Sequence, residues 1–189
     1  MLYYTVFRTK WGYFGLAGDG TVSRTCLPVP QREAAERLLR AALQPGDDDL
    51  HPDQDFLREL QQRIIAYFEG EPVDFRTAGP VSLDQTSTFA RQVLSACHQI
   101  PFGQTMTYTA LATQIGHPGA ARAVGTALAS NPIPLIIPCH RVLRTDGGLG
   151  GFSAPGGTAT KQKLLDHEQS LRPQTLPDWP PLLNSLDCF

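Results

Sequence analysis

The stretch YTALATQIGHPGAARAVGTALASNPIPLIIPCHRVL, Tyr108 to Leu143, decides how this chain folds. Thr107 stands in front of it as a helix cap, and YTALATQI reads as a short helix. GHPG breaks that run. AARAVGTALASN predicts a second short helix, and two short helices joined by a tight Gly-containing turn form a helix-turn-helix pattern. Pro132, Pro134 and Pro138 then flank the aliphatic run Leu135–Ile137 and lead straight into Cys139-His140-Arg141. The prolines restrict the backbone on both sides of that run. A reactive side chain benefits from so fixed a mount.

Outward from this centre, RVLRTDGGLGGF reads as a short hairpin, a possible wing, and TATKQKLLDHE as the last helix. Upstream, a helix is expected from about Ser87 to Ile100, closed by a PFGQ turn. AGPVSLDQTS, rich in Gly, Pro and Ser, marks a boundary. Before it, LYYTVF, GYFGLA and TVSRTCL alternate as strands, the last two joined through GDG at Gly18–Gly20. QREAAERLLRAAL and DQDFLRELQQRIIAYFEG read as helices, the second with Phe56, Leu60, Ile64 and Phe68 on one face. PGDDD between them is an acidic loop, and VDFRT is an extended piece. The expected fold is α/β. Residues 1–82 form a small N-terminal antiparallel sheet with helices, and residues 83–170 a mainly helical winged helix-turn-helix domain. Residues 171–189 form a Pro-rich C-terminal tail.

With 189 residues the chain can bury a sizeable core. Its longest apolar runs are too short to cross a bilayer. MLYYTVFRTKW has neither the basic start nor the apolar run of a secretory signal, so a cytoplasmic location is expected. Cys26, Cys97, Cys139 and Cys188 form no CxxC pair, and their spacing suggests neither a disulfide framework nor a zinc site. The net charge of −2 argues against general affinity for nucleic acid. Its distribution does not. Residues 1–89 carry a balance of −4, residues 90–163 one of +5, and residues 164–189 one of −3. A basic segment in an acidic chain is a plausible footprint for a polyanion, although chance asymmetry reads the same way.

The second short helix offers Ala120, Ala121, Ala123, Gly125, Ala127 and Ala129, with Arg122 as its one charged group. Such residues do not reach base edges in a major groove. They let a backbone approach closely, either to a minor groove with one arginine pushed forward or to another helix. A nucleophilic cysteine acts as thiolate, and His140 is the adjacent activator. Neighbours in an extended chain point to opposite faces, so a bridging water links these two side chains more easily than direct contact. The histidine needs a third group, and Glu168 on the last helix can supply a carboxylate. A buried thiol beside a surface histidine remains the alternative.

PCHR, preceded by ARAVGTALASNP and PFGQTMTYTALA, resembles the O6-alkylguanine-DNA alkyltransferases, also called methylated-DNA–protein-cysteine methyltransferases. The resemblance runs from about Phe89 to Glu168, while residues 1–82 fit the family's ribonuclease-H-like N-terminal domain in outline. It implies a DNA repair protein that binds duplex DNA through the minor groove. The damaged base, O6-alkylguanine and also O4-alkylthymine, flips into a pocket, and its alkyl group moves irreversibly onto Cys139. By resemblance, His140 is the water-mediated base, Glu168 the carboxylate behind it, and Arg122 the finger that fills the vacated stack. Tyr108 helps rotate the phosphate and donates toward the leaving oxygen. Asn131 braces the turn between recognition helix and active site. Ala121, Ala123 and Ala127 belong to the DNA face, and Val142 (through its carbonyl), Phe152, Ser153 and Pro134 to the base pocket. No cofactor and no metal are implied, and the partner is damaged duplex DNA met by a monomer, with no membrane.

Two departures stand out. Phe152 sits where some members have tyrosine, in a pocket loop that reads longer than in others. The N-terminal zinc of some members needs cysteine and histidine, and only Cys26 lies in the first fifty residues. Three rivals compete. A lesion-recognition protein without transfer typically has tryptophan in place of the cysteine. A thiol hydrolase would turn over without DNA. A sequence-specific regulator needs a recognition helix less rich in alanine.

Overall fold

The computed structural model describes residues 1–42, 50–77 and 79–171. The expected acidic loop and the C-terminal tail beyond Leu171 fall wholly outside the described residues. Strands β1 (Leu2–Thr9), β2 (Gly12–Gly18) and β3 (Val22–Val29) form an antiparallel meander. Helix α1 (Arg32–Ala41) follows. The chain then returns as β4 (Leu50–Pro52), which pairs with β1 in parallel, Leu2 opposite Leu50. The sheet order is β3-β2-β1-β4, so the sheet is not wholly antiparallel as the sequence suggested. The segment bearing α1 provides the crossover that a parallel neighbour requires.

Alternation along the strands gives the sheet two apolar faces. Tyr4, Val6, Ala17, Cys26 and Val29 pack with Ala35 and Leu39 of α1. Gly15 lies under that helix, and a Cβ there would stand 2.6 Å from Leu39 Cδ1, so only glycine lets α1 approach this closely. Phe14, Leu16 and Leu27 face the other way, toward Leu60, Ile64 and Phe68 of α2 (Arg58–Glu69). This second core continues without a break into the C-terminal half, through Leu94, Ile133, Ile137 and Leu164. VDFRT is not extended. Phe75–Thr77 is a 3-10 turn, because the Asp74 carboxylate accepts from Arg76 N at 3.0 Å and curls the chain.

The C-terminal half stacks α3 (Thr88–His98), α4 (Tyr108–Gln114) and α5 (Ala121–Ala129), with α6 (Gly157–Leu171) closing it. Ser87 and Thr107 cap α3 and α4, accepting from Ala90 N and Ala110 N. The expected wing hairpin does not form. Two short strands, β5 (Met106–Thr107) and β6 (Val142–Leu143), pair in parallel instead. Past them Arg144 N donates to Gly148 O at 2.8 Å and Gly148 N to Asp146 Oδ1 at 2.9 Å. These bonds close a tight turn, and the Gly-rich arm beyond it has no strand pairing. Among the described residues no helix is long and apolar enough to cross a membrane.

Candidate active site

The proline-bounded stretch works as the mount its composition suggests. Asn131 Nδ2 donates to Ile137 O at 2.9 Å and to Cys139 Sγ at 3.2 Å, while its Oδ1 accepts from Ile133 N at 3.0 Å. Ile137 N closes the loop on Ile133 O at 2.9 Å. Leu135 holds φ at 79°, a left-handed conformation that costs a branched side chain about 1–2 kcal/mol. Its side chain is buried, and that burial holds the strained backbone in place. The mount is also fastened to the N-terminal sheet. Thr25 of β3 donates through its amide to Pro132 O at 3.0 Å and through its hydroxyl to Pro134 O at 2.8 Å.

At the end of the mount the backbone is not extended. Cys139–Arg141 is a 3-10 turn, about three residues per revolution, so three successive side chains fan apart rather than alternate. Cys139 lines a pocket, whereas His140 and Arg141 reach Glu168 of α6. His140 is fully buried, which removes the reading of a surface histidine.

Glu168 is the hub. Its Oε1 accepts from His140 Nε2 at 2.8 Å, Arg141 Nη2 at 2.9 Å and Tyr67 Oη at 2.9 Å. Its Oε2 accepts from Arg141 Nε at 2.8 Å and Gly103 N at 3.1 Å. Burial alone would raise this carboxyl, but His140 and the forked Arg141 guanidinium hold it far below the usual carboxylate range. Because the carboxylate can only accept, His140 carries its proton on Nε2. Nδ1 then has its lone pair available and makes no hydrogen bond among the described residues. Burial pushes His140 down despite Glu168, so it rests neutral, a base rather than an acid. Burial pushes the Cys139 thiol up, against the opposing pull of the Asn131 amide and the Lys161 ammonium. The resting group is a thiol with a neutral base on the next residue.

Two depressions meet here. One, of about 160 Å³, is lined by Cys139, Asn131, Pro134, Cys26, Leu38, Phe152 and Ser153 among others. It is smaller than the several hundred Å³ usual for drug-sized ligands. The other is an open groove of about 540 Å³, lined by Tyr108, Ala121, Arg122, Gly125, Thr126, Ala129 and Gly150–Ser153. Phe152 and Ser153 are common to both. Gly150, at φ 67°, presses on the phenol: a Cβ there would lie 2.7 Å from Tyr108 Oη.

Most of the expected residues converge on this region, with two exceptions. Ala127 is buried at 6% exposure with Val124 and Leu128, so it belongs to the core and not to a DNA face. The reading of the alanine-rich helix as a packing surface therefore holds for one side of α5. One side packs inward, and the other exposes Arg122, Ala123 and Thr126. Val142 is fully buried and lines neither depression, and its carbonyl accepts from Lys161 Nζ at 2.7 Å. Sequence reasoning missed Lys161, Arg141 and Tyr67. Lys161 is fully buried and also reaches Leu149 O, and its Nζ stands 3.3 Å from Tyr108 Oη. A signal for it existed: Lys161, Leu164 and Glu168 share one buried stripe of α6 at helical spacing. Cys26 and Cys97 are buried thiols, Cys26 pushed up to about 11 by burial. Among the described residues no group of three or more His, Cys, Asp or Glu is placed to hold a metal ion.

A helix-turn-helix with one exposed arginine, beside a pocket walled by a cysteine backed by histidine and glutamate, defines a thiol-bearing nucleic-acid-binding class. Residues 88–170 match the model for the 6-O-methylguanine DNA methyltransferase DNA binding domain. Residues 2–82 match that for the 6-O-methylguanine DNA methyltransferase ribonuclease-like domain. A methylated-DNA–protein-cysteine methyltransferase of Mycobacterium bovis is 37% identical over 177 residues, covering 93% of this chain and 98% of its own. One of Methanosarcina acetivorans is 35% identical over 170 residues, covering 89% and 99%. The crystal structure of Mycobacterium tuberculosis O6-methylguanine methyltransferase superposes with a TM-score of 0.72 at 33% identity, covering 92% of this chain and 96% of its own. A Mycobacterium tuberculosis structure in complex with DNA gives 0.72 at 32% identity, covering 91% and 96%. The chain belongs to the 6-O-methylguanine DNA methyltransferase family.

Proposed function

We propose that this protein repairs O6-alkylguanine, and by the same chemistry O4-alkylthymine, in duplex DNA by moving the alkyl group onto its own Cys139. The observation that carries the reading is the Cys139 thiol in the wall of a pocket of about 160 Å³, with the buried His140 and its carboxylate partner Glu168 behind it. The duplex lies along the groove of α4 and α5, its minor groove against Ala121 and Ala123. Arg122 enters the stack while the damaged nucleotide turns outward past Tyr108. Phe152, Ser153 and Pro134 enclose the base. The thiol proton passes through a water to His140 Nδ1, and Glu168 stabilises the imidazolium. The thiolate attacks the alkyl carbon, forming the C–S bond as the C–O6 bond breaks. The electron pair goes to the base, which takes up a proton and leaves as guanine. Thiol, alkyl group and proton balance without a cofactor. The thioether persists, so each monomer acts once.

Stoichiometry tests this. A duplex with one O6-methylguanine, added in tenfold excess, should yield one guanine per protein and then no more. Continued conversion would replace the suicidal reading with a turnover enzyme. Lesion binding without conversion would leave a recognition protein.

A further inference from the structure

Tyr67 is fully buried in α2, on the N-terminal side of the chain, yet its hydroxyl donates to Glu168 Oε1 at 2.9 Å. Its ring direction is fixed by edge contacts with Phe68, Phe102 and His167, whose centroids lie 5.1, 6.0 and 5.1 Å away. Its carbonyl accepts from His167 Nε2 at 2.7 Å, so this one residue grips two successive residues of α6. Among the five donors to Glu168, it alone comes from residues 2–82.

We propose that Tyr67 is a positioning residue for alkyl transfer, its hydroxyl setting how strongly Glu168 holds His140. This rests on the proposed role of His140 as the base for Cys139. Tyr67 and His140 compete for one oxygen. A donor on Oε1 disperses its charge and weakens its pull on the imidazole proton. Among the described residues, the other charged or titratable groups around this pair are Cys139 and Arg141 on the same turn as His140, and Lys161 and His167 on α6. Burial and the nearby Glu168 push the phenol well above its ordinary range, so it stays a donor throughout the assay.

Tyr67→Phe removes the donor and keeps the ring. Glu168 then favours protonated His140 more strongly, and the acid limb of transfer moves to higher pH. One hydrogen bond corresponds to roughly half to one pH unit, or about a three- to tenfold loss of rate on that limb. Incorporating 3-fluorotyrosine at Tyr67 strengthens the donor without changing the fold and should move the limb the other way. Ile64→Val, elsewhere in the same core, should lower Tm and leave the limb in place. Two readouts are taken from pH 5 to 9: methyl transfer from an O6-methylguanine duplex, and the titration of 15N-labelled His140 by NMR. Opposite shifts for the two Tyr67 variants in both readouts support the proposal. Superimposable His140 titrations in folded variants overturn it, leaving Tyr67 as packing. Should wild type fail to methylate Cys139 while His140 still titrates, the transfer reading falls, and the NMR arm still decides the Tyr67–Glu168 coupling.

Discussion

Glu168→Gln removes the charge at the hub and changes little else in shape. Glutamine offers one acceptor oxygen in place of two, and turns an NH2 toward groups that are themselves donors. The Arg141 guanidinium, 3% exposed, keeps its bond to Ile100 O at 2.6 Å but loses the carboxylate that forks it. Breaking a buried pair from one side costs about 3–5 kcal/mol. In a chain of this length that lowers Tm by roughly 6–20 °C. The acid dependence carries a definite sign. The folded carboxyl is depressed below its unfolded value of about 4.3, so its stabilisation is complete above that pH. It is lost as pH falls toward the folded value. Urea unfolding at pH 7 and pH 3.5 should show a wild-type advantage that narrows in acid. A variant within about 1 kcal/mol of wild type, or a gap that does not narrow, would refute the account of Glu168 as an ionised hub. Alkyl transfer should slow by about 10²–10⁴-fold, the usual range for a lost general base, because His140 loses its orienting partner.

Arg122→Ala should slow repair of duplex DNA far more than reaction with free O6-benzylguanine, which needs no extrusion from a stack, and equal losses would remove the arginine from flipping. Asn131→Ala strips three hydrogen bonds from the mount, including the donor on Cys139 Sγ. It should cost about 1–3 kcal/mol of stability. It should also move the pH profile of Cys139 alkylation by iodoacetamide upward, and an unchanged profile would show that the amide does not stabilise the thiolate.

The helix pair and the rigid approach to Cys139 were readable because each rests on local spacing, and the partnership with Glu168, 28 residues on, through the family resemblance. What escaped was set by contacts distant in sequence. Tyr67 and Glu168 stand 101 residues apart, and nothing in QQRIIAYFEG marks the tyrosine as more than a core residue. Arg141 and Lys161 looked like part of a basic surface, yet both are buried, one paired with Glu168 and the other on carbonyls. The expected charge patch thereby loses two of its cations. The wing is absent for a local reason: the arm from Gly147 to Gly151 is four glycines and Leu149, with too few side chains to sustain a strand. The backbone at Cys139-His140 is a 3-10 turn rather than the extended piece the sequence suggests, and that turn sends the thiol to the pocket and the imidazole to α6.

The central claim is that Cys139 is the alkyl acceptor, and peptide mass mapping after incubation with an O6-methylguanine duplex tests it most directly. The account predicts one added methyl on the peptide containing Cys139, with Cys26 and Cys97 unmodified. A methyl on another residue, or full transfer by Cys139→Ala, would contradict it.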